Sequence, residues 1–93
     1  MPGYDRAELT AELKVVATPE AESTPREQVE AARTVASDSG LAHEAGPETT
    51  VLAGGRNEVL DAVRRVVEAA LDAGARAVEM KVEAEGEAER FGR

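Results

Sequence analysis

Leu9, Ala11, Leu13, Val15 and Ala17 alternate with Thr10, Glu12, Lys14, Val16 and Thr18. A period of two is the spacing of a strand with one apolar face, so a strand is predicted over 9–17. Its other face begins polar and carries Val16 near its end. The stretch 18–25 contains Pro19, Ser23, Thr24 and Pro25 and reads as a loop. Thr24, Pro25 and Glu27 together mark a helix start: a hydroxyl N-cap, a proline at the first helical position and a glutamate placed for a capping box. This helix is expected to run to Ser39, with Val29, Ala32, Val35, Ala36 and Ser39 facing inward, and to stop at Gly40.

Two short β-prone runs, 41–45 and 49–53, flank Gly46-Pro47 and predict a hairpin over 41–53. After Gly54-Gly55, the residues Val59, Leu60, Val63, Val66, Val67, Ala70 and Leu71 recur at three and four positions. That period predicts an amphipathic helix, capped by Asn57 and ended by Gly74. Val78, Met80, Val82 and Ala84 then alternate with Glu79, Lys81, Glu83 and Glu85, which predicts a last strand. The order β-α-β-β-α-β points to an α+β, ferredoxin-like sandwich. Two helices would cover one face of a four-stranded antiparallel sheet, with the first and third strands central. A single domain over 9–85 is expected, with loose termini at 1–8 and 86–93. The uncovered sheet face is a solvated surface if polar and an assembly surface if not.

Composition narrows the partners. The chain has 93 residues, enough for one domain, and a net charge of −8. Nucleic acid and anionic membranes need a basic patch, so neither is expected as a partner. There is no cysteine, which removes disulfides, thiolate metal sites and cysteine nucleophiles. Most apolar side chains are Ala or Val, so the core is modest and association would add useful burial. The first residues lack a basic start followed by an apolar run, and no stretch reaches the roughly 18 apolar residues of a membrane span. A soluble cytoplasmic protein is expected.

Several motifs occur in a set order: Ser39-Gly40-Leu41, Gly46-Pro47, Thr50-Val51-Leu52, Gly54, Glu58-Val59-Leu60-Asp61-Ala62-Val63, Gly74-Ala75-Arg76 and Met80-Lys81-Val82-Glu83. In this order and spacing, from the first strand to about Glu85, the chain resembles the thiamine-binding protein family, relatives of the hydroxymethylpyrimidine-binding YkoF-like domains. The family pattern reads approximately Ser-Gly-Leu, then Gly-Pro-Met-Gly-Thr-Val-Ile-Glu-Gly, then a final Lys-Ile-Asp. Here Glu48-Thr49 stands in place of Met-Gly, Ala53 in place of a common Glu, Val67 in place of a common His, and Glu83 in place of the closing Asp. The resemblance implies a ferredoxin-like domain that associates through its sheet into homodimers or homotetramers. It also implies binding of thiamine or its pyrimidine moiety without turnover, and no cofactor.

The candidate ligand-binding residues follow. Glu48, Thr49 and Thr50 sit where the third strand begins. A carboxylate suits a cationic ring or an exocyclic amine, and hydroxyls suit ring nitrogens; alternatively they are a solvated turn glutamate and two β-favouring threonines. Val16 and Thr18 end the neighbouring first strand and would line the same pocket, or merely feed a loop. Ser37 ends the first helix, within reach of a pocket or of solvent. His43 is the chain's single histidine; alone it makes a poor metal site and a poor general base, and the resemblance, whose members often carry an aromatic here, implies stacking at an interface instead. Gly54-Gly55-Arg56 lacks phosphate-loop spacing, and the glutamates over 79–89 lack calcium-loop spacing. Two readings follow: a non-catalytic small-molecule-binding oligomer, or a structural or regulatory module whose pocket is altered or lost. No nucleophile–base or metal constellation supports an enzyme.

Overall fold

The computed structural model describes residues 8–47 and 49–84. Glu48, Glu85 and the segments 1–7 and 86–93 lie outside the described residues. The elements are β1 (Leu9–Val16), α1 (Pro25–Asp38), β2 (Ala42–Ala45), β3 (Thr49–Gly54), α2 (Arg56–Asp72) and β4 (Ala77–Ala84). All strand pairs are antiparallel, in the order β2-β3-β1-β4, so β1 and β3 are central. Both helices cover one face, as the ferredoxin-like pattern predicts.

The alternation along β1 sets the two faces. Leu9, Ala11, Leu13 and Val15 are buried beneath the helices, together with Leu52 of β3. Val59, Val66 and Ala70 of α2 close the core from above, joined by Ala32 and Ala36 of α1. Thr10, Glu12, Lys14 and Val16 face the uncovered side.

Helix α1 begins as its sequence requires. The Thr24 hydroxyl accepts from the Glu27 amide at 3.1 Å, and the Glu27 carboxylate accepts from the Thr24 amide at 2.8 Å. Gly40 follows the helix with φ +78°, a left-handed conformation that only glycine adopts freely. The inward face differs from the expected one. Gln28, Ala32 and Ala36 form its buried line, while Val29 and Val35 are half-buried. A polar residue takes the deepest place because the loop below it needs an amide partner.

Helix α2 corrects a second expectation. Its N-cap is Gly55, not Asn57, and Gly55 has no side chain to cap the free amides. The cap comes from elsewhere in the chain: the Glu8 carboxylate accepts from the Arg56 amide at 2.7 Å. The Glu8 amide also donates to the Gly54 carbonyl at 2.9 Å. Glu8, expected in a loose terminus, is therefore fixed at both ends. A carboxylate at a helix N-terminus satisfies an orphan donor and complements the helix dipole. Glu8→Ala is expected to cost about 1 kcal/mol of stability, read from urea denaturation midpoints. An unchanged midpoint would mean that solvent caps this helix equally well.

Among the described residues, no helix is long and apolar enough to cross a membrane.

Candidate functional site

The loop between β1 and α1 is held by one buried side chain. The Gln28 amide oxygen accepts from the Thr18 amide at 2.8 Å. Its nitrogen donates to the Thr18 carbonyl at 3.0 Å and to the Ser23 carbonyl at 3.2 Å. The Ser23 hydroxyl in turn donates to the Ala73 carbonyl at the end of α2. Gly74 follows with φ +113°, and a Cβ there would lie 2.9 Å from the Ser23 hydroxyl. The loop is thus fixed against both helices.

Where this loop leaves β1, Ala17 borders a cleft of about 400 Å³. Val15, Ala17 and Val29 make an apolar floor; Pro25 and Pro47 stand at its rim; Arg26, Glu30 and Arg33 supply its polar groups. Arg26, Val29, Glu30 and Arg33 recur at three and four positions, so they share one flank of α1. Arg33 bridges the helix to the hairpin turn. One guanidinium nitrogen pairs with Glu30 at 3.2 Å, and another donates to the Gly46 carbonyl. Its Nε is buried without a hydrogen-bond partner among the described residues. An apolar floor with a few convergent polar groups is the usual construction of a small-molecule site. A carboxylate here accepts from an amine, and guanidinium groups donate to ring nitrogens, carbonyls or anions.

The sequence candidates divide between the two faces of the sheet. Thr50 is buried on the helix side, opposite Leu13 and diagonal to Val15 of the cleft floor. Thr49 points the other way, opposite Lys14. It borders a shallow depression of about 290 Å³ on the open face, beside Glu12, Lys14, Glu79 and Lys81. Successive strand residues face opposite sides, so the two hydroxyls do not share a pocket. Val16 is on the open face as well, opposite Ala77, and its carbonyl accepts from the Arg76 amide at 2.9 Å. Thr18 lies beside the cleft, with its backbone held by Gln28. Ser37 is exposed on the outside of α1. Glu48 lies outside the described residues.

His43 is exposed on the β2 edge, its Nδ1 3.2 Å from the Leu41 carbonyl. At Gly54-Gly55-Arg56, the Glu8 carboxylate already occupies the helix N-terminus. Among the described residues, no group of three or more His, Cys, Asp or Glu is placed to hold a metal ion.

Four residues of consequence escaped the sequence reading: Gln28, Arg26, Glu30 and Arg33. A signal for three of them was present, since polar residues at 26, 30 and 33 bracket Val29 at helical spacing. Nothing in the sequence tied Gln28 to a loop ten residues earlier.

Comparison with known proteins gives the following. A family model described as thiamine-binding protein matches residues 11–90. A domain of unknown function from Bacillus cereus is 29% identical, with a TM-score of 0.66 over 84% of this chain and 74% of that one. A Thermotoga maritima protein provisionally assigned to thiamine biosynthesis or salvage is 23% identical, with a TM-score of 0.64 over 87% of this chain and 85% of that one. A hypothetical protein from Methanocaldococcus jannascii is 22% identical, with a TM-score of 0.62 over 84% and 78% of the two chains. At these identities the last two share the fold alone. No curated protein matches the chain.

Proposed function

The chain belongs to the thiamine-binding protein family, and we propose that it binds thiamine or its hydroxymethylpyrimidine moiety, without turnover and as an oligomer. The observation that carries this reading is the family match, which spans both helices, β2, β3 and β4 and all but the first two residues of β1. The strand-end cleft is the proposed site. Its floor of Val15, Ala17 and Val29 suits the face of a small ring. Glu30 suits the exocyclic amine of an aminopyrimidine, and Arg26 or Arg33 can donate to a ring nitrogen. Thr50 and Thr18 stand beside it as further polar contacts.

Calorimetric titration with thiamine and with hydroxymethylpyrimidine tests the assignment. At least one is expected to bind with a dissociation constant below millimolar. Absence of binding by both at millimolar concentration would overturn the ligand assignment.

One observation favours a second reading, a structural or regulatory module with no small ligand. Among the described residues, no aromatic side chain lines the cleft to stack against a pyrimidine; Tyr4 and Phe91, the chain's two Phe/Tyr/Trp residues, lie outside the described residues. That reading predicts an oligomer whose melting temperature is unmoved by a metabolite panel.

A further inference from the structure

The polar groups of the cleft are unevenly spread along α1. Arg26, Val29, Glu30 and Arg33 line it from one flank of the helix. Arg26 and Arg33 are seven positions apart, about 10 Å along the axis at 1.5 Å per residue. Val29 and Glu30 lie between them. The cleft therefore has two polar ends joined by an apolar floor.

At the Arg33 end the charges are already balanced. Arg33 pairs with Glu30 at 3.2 Å and donates to the Gly46 carbonyl, and its Nε is buried. That guanidinium is held between the helix and the hairpin turn. The pair can exchange hydrogen bonds with an amine or a ring edge, but it adds no net charge.

The end at the helix start is different. Arg26 is exposed and forms no ion pair with a described residue. It is the second residue of α1, where the positive end of the helix dipole disfavours a cation. The backbone there keeps one open donor. Pro25 has no N–H. The Thr24 hydroxyl takes the Glu27 amide, and the Thr24 carbonyl takes the Gln28 amide at 3.1 Å. The Arg26 amide has no acceptor among the described residues. An anion seated here would pair with the guanidinium, accept from the amide and offset the dipole. Although the whole chain carries −8, the described residues lining the cleft set two arginines against one glutamate.

We propose that the Arg26 end of the cleft holds the phosphate of a phosphorylated ring compound, so that the preferred ligand is a phosphate ester and not the free alcohol. The proposal rests on the ligand reading above and narrows it. The ring lies over Val29 with its amine toward Glu30, and a phosphomethyl arm reaches back along the helix to Arg26. A phosphate monoester carries about −1.5 to −2 charge at pH 7 and three strong acceptor oxygens, enough to engage guanidinium and amide together. Unphosphorylated thiamine brings a cationic ring to a cleft that is already positive, and phosphorylation reverses that balance.

Calorimetric titration at low ionic strength compares hydroxymethylpyrimidine with its phosphate, and thiamine with thiamine monophosphate. In at least one pair the ester is expected to bind about tenfold or more tighter than the alcohol; the pair that shows it identifies the source of the phosphate. The gain is expected to shrink in about 0.5 M salt, because Arg26 is exposed and screened. Arg26→Gln is expected to bring the ester-to-alcohol ratio down to about threefold or less. Arg64→Gln removes an exposed charge of α2 outside the cleft and is expected to leave the ratio unchanged. Equal affinities for ester and alcohol in both pairs would overturn the proposal and leave the ligand reading standing. Binding of none of the compounds would overturn the ligand reading and the proposal with it. A ratio unmoved by Arg26→Gln, or lowered as much by Arg64→Gln, would overturn the placement of the phosphate at Arg26.

Discussion

Gln28→Leu is expected to destabilise the domain by about 2–4 kcal/mol, because it strands several backbone groups at once. The leucine matches glutamine in bulk and fits a fully buried position, so packing loss is not the main cost. The cost is the Thr18 amide, the Thr18 carbonyl and the Ser23 carbonyl, which all lose the partner they have in the wild type. A partly buried peptide group without a partner is destabilising by about 1–3 kcal/mol, and residual access to water keeps the three from adding in full. Urea denaturation monitored by circular dichroism measures it; a loss under about 0.5 kcal/mol would mean water replaces the amide. Gln28→Glu separates the donor role from shape. Only the protonated carboxyl can donate to a carbonyl, and burial disfavours the carboxylate, so the folded-state pKa is raised above the ordinary value of about 4.3. The deficit relative to wild type is then smallest below about pH 4 and grows as pH rises through that raised value. A deficit independent of pH would refute the donor role.

Leu52→Ala is expected to cost about 2–5 kcal/mol. Leu52 is fully buried, and with Leu9 and Leu13 it is one of three leucines in a buried apolar core otherwise made of valine and alanine. It lies opposite Ala11 on one side and His43 on the other, so a small neighbour, Ala11, borders the space it leaves on the side of β1. Alanine side chains have no rotamers with which to refill that space, which places the cost toward the upper end of the range. A domain of this size has a total stability on the order of 5–15 kcal/mol, so the variant is expected to be near the threshold of unfolding at 37 °C. The denaturation midpoint should fall with the slope unchanged. A loss below about 1 kcal/mol would show that the helices settle onto the sheet and close the cavity.

These two residues bear on the candidate site in different ways. Leu52 holds the sheet to the helices that carry the cleft. Gln28 holds the loop between β1 and α1, while Arg33 ties α1 to the hairpin turn at Gly46. Loss of Gln28 should therefore loosen the chain next to Ala17 of the cleft floor and weaken ligand binding beyond its effect on folding.

Much of the fold was legible because it depends on local pattern. The alternation over Leu9–Val16 placed an apolar face toward the helices, and the Thr24–Glu27 capping box fixed where α1 begins. Gly40 and Gly74 marked helix ends through their left-handed backbone. The site was much less legible. Thr49 and Thr50 are adjacent in the chain, yet the pleat sends their hydroxyls to opposite faces. Arg33 reads as an ordinary surface charge until the hairpin turn comes under it. The α2 cap was misplaced to Asn57 because the true partner, Glu8, lies forty-eight positions earlier.

The sequence by itself determined the elements, their order and the apolar face of each, since periodicity and capping act within a few residues. It also determined the family, through short motifs kept in order along the chain. Only the tertiary structure decided which polar groups meet: Gln28 with the β1–α1 loop, Arg33 with Gly46, and Glu8 with α2. Those contacts join residues distant in the chain, and a hydrogen bond or ion pair depends on ångström-scale distance, which the spacing of residues along a sequence does not encode.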